Sequence, residues 1–378
     1  MKLTLNNAVT QVEISGIRQF SYLVRDTPGA CALTIGEPDL NTPDAVKEAA
    51  KAALDDNDTH YPPGNGYTYL LEAISRFEET AHGLVYAPEE IVTTVGATEA
   101  LSIALSAILN PGDEVIIPTP AFGLYEALVR LRGGVPVFLP TEDSRFQIVP
   151  EALAAAITPR TKAIVLTSPN NPTGCVYTRE TLEGIHRILR DKPIFVLCDD
   201  VYRALCYTED YHSFAEYADM RDRSIVVQSF SKPYAMTGWR LGYCMADRPV
   251  MSRIQVLHQY AVTSIPSFVQ RACVTALGLP TDGVAELFRK RRDYVYRRLR
   301  AMGLEVEEPQ GAFYMFIDIR KFGMDSVTFC TRMLKEGLVG TVPGVYFGAE
   351  GFLRLSYCYS DAVLKTALDR MEAFVRTL

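Results

Sequence analysis

No two of the chain's eight cysteines form a Cys-x-x-Cys pair, and none clusters with histidines, which argues against a zinc site or a disulfide frame and for reduced thiols in a cytoplasm. No stretch approaches the ~18 consecutive apolar residues of a membrane span, and the N-terminal MKLTLNNAVTQVEISG has no continuous apolar segment of the kind that directs secretion. Positive charge is in deficit: 38 Lys and Arg against 45 Asp and Glu leave a net charge of −7. Neither a nucleic-acid face nor an anionic-membrane face is expected from that balance. One basic run, RKRRDYVYRRLR (289–300), reads as the solvated side of a helix whose apolar side is Phe288, Tyr294, Val295 and Leu299. Low-complexity tracts and internal repeats are also lacking, and with 48% hydrophobic and 22% charged residues the chain reads as an ordinary globular protein. Its 378 residues exceed what a single core of ~250 to 300 accommodates, so a large domain and a smaller one are expected.

What is present is an alternation. From residue 43 to 280 helical patterns (43–54, 97–109, 179–190) alternate with short apolar runs: EIVTTVG (90–96), EVIIPT (114–119), PVFLP (136–140), KAIVLTS (162–168), IFVLCDD (194–200), SIVVQS (224–229) and LGYCMA (241–246). Near-continuous apolar strands between helices predict an α/β domain with a mostly parallel seven-stranded sheet covered on both faces. Beyond 280 the texture changes to a long helix, the strands GAFYMFIDI, LVGTVPG and FLRLSYCY, and a closing helix. The predicted division is therefore a large domain over 43–280 and a smaller α+β domain over 281–378, with the segment 1–42 joining the smaller one.

In open α/β sheets ligands bind beyond the carboxyl ends of the strands, so the residues that follow each strand define the candidate site. After EIVTTV comes Gly96-Ala97-Thr98 at the start of a helix, where free backbone N–H groups and a hydroxyl suit a phosphate. Taken singly, the same residues also serve as turn and cap. After EVIIPT comes Pro120-Ala121-Phe122, an aromatic placed to stack on a flat ring or to fill a core. KAIVLTS leads into the rigid polar turn Pro169-Asn170-Asn171-Pro172-Thr173-Gly174. IFVLC ends in Asp199-Asp200, adjacent carboxylates that are costly at an apolar strand end unless a cation meets one of them. SIVVQS runs into Ser229, Lys232 and Arg240.

Together these stretches resemble the class I pyridoxal-phosphate (PLP) aminotransferases of the aspartate-aminotransferase fold type. The resemblance is carried by TIGEPDLNTP (34–43), YPPGNGYTYL (61–70), VGATEAL (95–101), PGDEVIIPTPAF (111–122), SPNNPTG (168–174), CDDVYRAL (198–205), SFSKPYAMTGWRLGY (229–243), PQGAFYMF (309–316), VPGVYFG (342–348) and LRLSYCYS (353–360). It implies that Lys232 forms the Schiff base with PLP and then moves the Cα proton, and that Asp199 faces the pyridine nitrogen. Tyr202 and Asn171 are implied to hydrogen-bond the ring's O3′. The N–H of Ala97, Thr98, Ser229 and Arg240 are implied to hold the phosphate, with Tyr61 reaching it from the neighbouring subunit of a homodimer. Phe122 is implied to stack on the ring, and Arg354, with the backbone of Gly36, to bind the substrate α-carboxylate. The partners implied are an amino acid and a 2-oxoacid, with no metal.

Asp200 stands where the family often has Glu, Phe122 where Tyr or Trp is common, and Ala121 removes bulk beside it. The stretches ISGIRQFS (14–21), LHQYAVTSIPS (257–267) and RRDYVYRRLRAMGLEVEEPQGAFY (291–314) resemble most the aromatic-amino-acid and N-acetyl-diaminopimelate aminotransferases. Glutamate and 2-oxoglutarate are the usual second pair, and Arg18 is a candidate cation for their side-chain carboxylate, against a plain role at a surface or helix cap. Two alternatives stand beside transamination: a PLP-dependent carbon–sulfur β-lyase on the same fold, and a non-catalytic PLP-binding sensor domain. The sensor is expected to carry a basic DNA-binding module before residue 34, where the sequence has none.

Overall fold

The structure, a computed structural model, describes residues 3–378. Its strands in chain order are β1 (Cys31–Ala32), β2 (Ile91–Thr94), β3 (Glu114–Thr119), β4 (Val135–Pro140), β5 (Thr161–Thr167), β6 (Phe195–Asp199), β7 (Ser224–Ser229), β8 (Gly242–Ala246), β9 (Glu305–Val306), β10 (Tyr314–Asp318), β11 (Val339–Gly340), β12 (Val342–Pro343) and β13 (Phe352–Ser356). Seven of them form one sheet in the order β2-β8-β7-β6-β5-β3-β4. All its pairings are parallel except those of β8, which runs antiparallel to both β2 and β7.

Period-2 alternation sends successive residues of each strand to opposite faces, and here both faces are apolar. Ile116, Ile164, Val196, Cys198 and Val226 enter one core, whereas Val115, Ile117, Val165, Leu197 and Val227 enter the other. Helices Asp44–Asp55, Thr68–His82 and Arg179–Leu189 cover the first face, and helices Gly96–Ile108 and Arg248–Ala261 the second. Proline is tolerated in this sheet where no ladder bond is missed. Pro136 and Pro140 lie on the edge strand β4, and Pro118 lies beyond Ile116, the last residue of β3 paired with β5.

A second sheet, β12-β13-β10-β9, is antiparallel and sits with helices Asp282–Ala301, Ser326–Gly337 and Asp361–Val375 over its own core of Phe288, Tyr314, Phe329, Leu353 and Leu368. The N-terminal segment joins this part of the molecule, because β1 pairs in parallel with β11. The basic run corrects the sequence reading at two positions. Arg291 and Arg292 are only 8% and 9% exposed and belong to the interior. Arg291 grips Asp39 through two hydrogen bonds of 2.7 and 3.0 Å, and Arg292 donates to the Pro309 carbonyl at 2.6 Å. Asp39 and Pro309 both lie outside this helix, so the local pattern alone reads as a solvated face. Among the described residues, no helix is long and apolar enough to cross a membrane.

Candidate active site at the strand ends

Because β8 is antiparallel, it begins where its neighbours end: Gly242 pairs with Thr94 of β2 on one side and Ser229 of β7 on the other. This single register brings Ala97, Thr98, Ser229 and Arg240 to one corner. The corner is kept open by glycine. A Cβ on Gly96 would sit 2.7 Å from Arg240 Nη2, and one on Gly242 would sit 2.5 Å from the Gln228 carbonyl and 3.0 Å from the Ala97 nitrogen. Gly96 also has φ of +68°, which side chains disfavour. Arg240 donates only to the backbone carbonyls of Thr237 (3.0 Å) and Val95 (3.4 Å), so among the described residues its charge meets no carboxylate. A helix N-terminus with an unneutralised guanidinium is a cradle for an anion.

Asp199 closes β6, 5% exposed. Its Oδ2 accepts from the Tyr125 hydroxyl at 2.6 Å, and Tyr125 lies 2.8 Å from Thr167 Oγ1, whereas Oδ1 is buried with no partner among the described residues. Burial pushes the carboxyl up to about 6, against the pull of the Tyr125 hydrogen bond and the Lys232 charge. A buried carboxylate oxygen without a donor is costly, so the site lacks one cationic or N–H group at this point. Asp200 points elsewhere: its Oδ2 accepts from Ser213 Oγ at 2.6 Å, and burial pushes it up to about 7.

Lys232, three residues past β7, donates from Nζ to the Gly36 carbonyl at 2.6 Å and lies 5.9 and 5.7 Å from the rings of Tyr202 and Phe313. Burial lowers its ammonium from the ordinary 10.5 to about 8, so deprotonation is far easier than for a solvated lysine and about a tenth of the amine is free at pH 7. The Tyr202 hydroxyl lies 2.8 Å from that of Tyr314. Gly36 admits no larger residue, since a Cβ there would overlap the Tyr314 hydroxyl. Arg354, on β13 and 3% exposed, donates to Asn171 Oδ1 at 2.8 Å and to the Thr34 carbonyl at 2.5 Å, while its Nε, buried, has no partner among the described residues. The rings of Tyr314 and Phe347 flank it at 4.5 and 4.8 Å.

The turn that presents Asn171 is held from within, Asn170 Oδ1 accepting from the Thr173 N–H and hydroxyl. From outside, Gln310 and Gly311 donate to the Gly174 carbonyl just before Phe313 and Tyr314. Phe122 is half-buried, edge-on to Tyr125 at 6.3 Å. Tyr61 is not drawn in: it is 90% exposed and makes no hydrogen bond within the described chain. Arg18 is likewise exposed, on helix Gly16–Arg25. Sequence reading missed Tyr125, Tyr314 and Asp39. Only Tyr125 left a signal, one helical turn after Phe122.

The aminotransferase class I and II sequence pattern matches residues 30–371, 342 of the 378 positions. The chain belongs to that family. A probable N-acetyl-LL-diaminopimelate aminotransferase of Bacillus subtilis is 41% identical, with 99% of this chain and 96% of the relative covered. The aromatic-amino-acid aminotransferase 2 of Thermococcus litoralis is 37% identical, with 99% of each covered. Among solved structures, the aspartate aminotransferase of Thermus thermophilus with maleate superposes with a TM-score of 0.94 at 36% identity, covering 100% of both chains. The fold is thus that of the aspartate aminotransferases, and the protein is an aminotransferase. The donor set fits the family's cofactor: an open anion cradle beside Arg240, and an unmatched carboxylate oxygen on Asp199 where a protonated ring nitrogen would sit.

Proposed function

We propose that this aminotransferase uses PLP to exchange the amino group of an L-amino acid with a 2-oxoacid in two successive half-reactions at Lys232. The observation that carries the reading is the unpartnered Asp199 Oδ1, buried on a carboxylate whose other oxygen Tyr125 already holds. When bound, PLP supplies an electron-accepting ring conjugated to the substrate nitrogen. Asp199 keeps the ring nitrogen protonated, and Tyr125 keeps Asp199 oriented. Arg240, Ser229, Thr98 and the Ala97 N–H hold the phosphate, Phe122 covers the ring, and Tyr202 and Asn171 meet its hydroxyl edge. Arg354, with Gly36, takes the substrate α-carboxylate, so the guanidinium fixes the Cα–H bond toward Lys232. Lys232 Nζ, whose hold on a proton is weakened by burial, takes that proton and returns it on the other side of the exchange.

For the donor we infer an aromatic or N-acetyl-diaminopimelate-like amino acid, with 2-oxoglutarate as acceptor; the similarity to relatives of both kinds supports this. We place the enzyme in the cytoplasm, a reading supported by its eight free cysteines. We further propose a homodimer with shared sites, in which Tyr61, exposed on its own subunit, reaches the phosphate in the other. The test is a half-reaction screen. Each candidate donor is mixed with the yellow holoenzyme and the loss of cofactor absorbance followed, then 2-oxoglutarate is added to restore it. Formation of the swapped amino acid and 2-oxoacid supports the reading. Pyruvate and ammonia appearing without an acceptor would overturn it in favour of β-elimination.

A further inference from the structure

Glu99 poses a problem that the phosphate cradle does not solve. It stands in the first turn of helix Gly96–Ile108, one residue past Thr98, so its carboxylate shares a helix end with the proposed phosphate site. Two anions on one turn repel, all the more strongly where water is scarce. The structure turns this carboxylate inward. Its Oε2 accepts from the Val95 N–H at 2.5 Å, and its Oε1 lies 2.8 Å from His258 Nδ1. His258, on helix Arg248–Ala261, is fully buried, the Glu99 side chain is 10% exposed, and His258 Nε2 has no partner. Among the described residues, the one hydrogen bond this imidazole makes is thus directed at Glu99. Val95, at φ −71° and ψ 65°, and Gly96, at φ +68°, make the reversal from β2 into the helix, and the Glu99 carboxylate is tied across it.

We propose that Glu99 and His258 are positioning residues for the phosphate. The carboxylate locks the strand-to-helix turn through the Val95 N–H, so that the first helical N–H groups face the anion, and the His258 Nδ1–H holds the carboxylate's charge inward, away from it. The proposal rests on the reading that this corner takes the PLP phosphate. It predicts that the pair matters to the phosphate and not to the ring or aldehyde of the cofactor.

The test compares PLP with pyridoxal, which lacks the phosphate, by titrating the cofactor-free protein and following the fluorescence of Trp239, the chain's single tryptophan and the neighbour of Arg240. His258→Phe keeps a ring and removes the donor, and His258→Leu provides a second shape should the first not fold. Either variant is expected to weaken PLP about tenfold, as loss of a hydrogen bond to a charged group does, and to leave pyridoxal unchanged. His258→Asn, which places an amide N–H near Nδ1, should retain most of the affinity. Glu99→Gln combined with His258→Phe should bind PLP more tightly than His258→Phe alone, because the charge that His258 restrained is gone. Equal weakening of PLP and pyridoxal, or a double variant no tighter than the single, would overturn the proposal. A wild-type protein that does not distinguish PLP from pyridoxal would instead overturn the reading of the phosphate corner itself.

Discussion

At Asp199 and Asp200 two neighbouring carboxyls do different work because strand alternation sends them to different surroundings. Asp199→Asn keeps the shape and the Tyr125 hydrogen bond but removes the charge meant for the ring nitrogen. A loss of kcat of about 100- to 1000-fold is expected, with PLP content unchanged; near-normal kcat in the PLP-loaded variant would refute the role. Asp200, held up to about 7 by burial against an ordinary 3.8, predicts a pH effect on the cofactor-free protein. The folded state holds this proton more tightly than the unfolded state, so the stability it contributes is complete below about pH 4 and is lost as pH rises toward 7. Asp200→Asn can still accept from Ser213 and carries no such titration. Urea unfolding at pH 5 and pH 8 should therefore show a larger fall in stability for the wild type than for the variant, and equal falls would count against the buried-acid account.

At the scale of elements, the strands of the large sheet were readable to within a residue or two, because burial on both faces leaves short, near-continuous apolar runs whose polar residues lie mostly toward their ends. A wound sheet gathers its strand ends on one side, which brings the proposed Ala97, Thr98, Asp199, Ser229 and Lys232 together, whereas Arg354 on β13 and Gly36 in the N-terminal loop were suggested only by the family resemblance. The connections between elements were not. Tyr125 lies 74 residues from Asp199, and Arg291 lies 252 from Asp39, and no local pattern carries a contact of that reach. The second contact has a consequence for the site. Asp39 sits in the same loop as Gly36, whose carbonyl receives Lys232, so Arg291 ties that loop to the long helix Asp282–Ala301. Arg291→Gln leaves Asp39 with at most a single weaker donor. It is expected to cost about 2 kcal/mol of stability, as loss of hydrogen bonds between charged groups does, measured by urea unfolding. It should also raise KM for donor and acceptor together if, as proposed, both bind against this loop; a rise for only one of them would separate Asp39 from the α-carboxylate site.

At the scale of the whole molecule, Tyr61 makes no hydrogen bond among the described residues and is 90% exposed, in a segment firmly seated on its own subunit. Thr93 N–H donates to the Asn65 carbonyl at 2.9 Å and the Tyr67 N–H donates to Gln270 Oε1 at 2.8 Å, so the aromatic is presented outward from a fixed base. Two-fold symmetry would let each subunit lend its Tyr61 to the other's Lys232. Lys232→Ala and Tyr61→Ala subunits, each poorly active alone, are unfolded together and refolded as a mixture. Random assortment makes half the dimers mixed. In each mixed dimer one site carries both lesions and the other carries none, so about a quarter of wild-type activity should return. If Tyr61 served the site of its own chain, every site in a mixed dimer would keep one lesion, and the mixture would show only the average of its parents. Sedimentation of the same mixture separates this from a failure to assemble, because dimers that form without recovering activity place Tyr61 outside the partner's site.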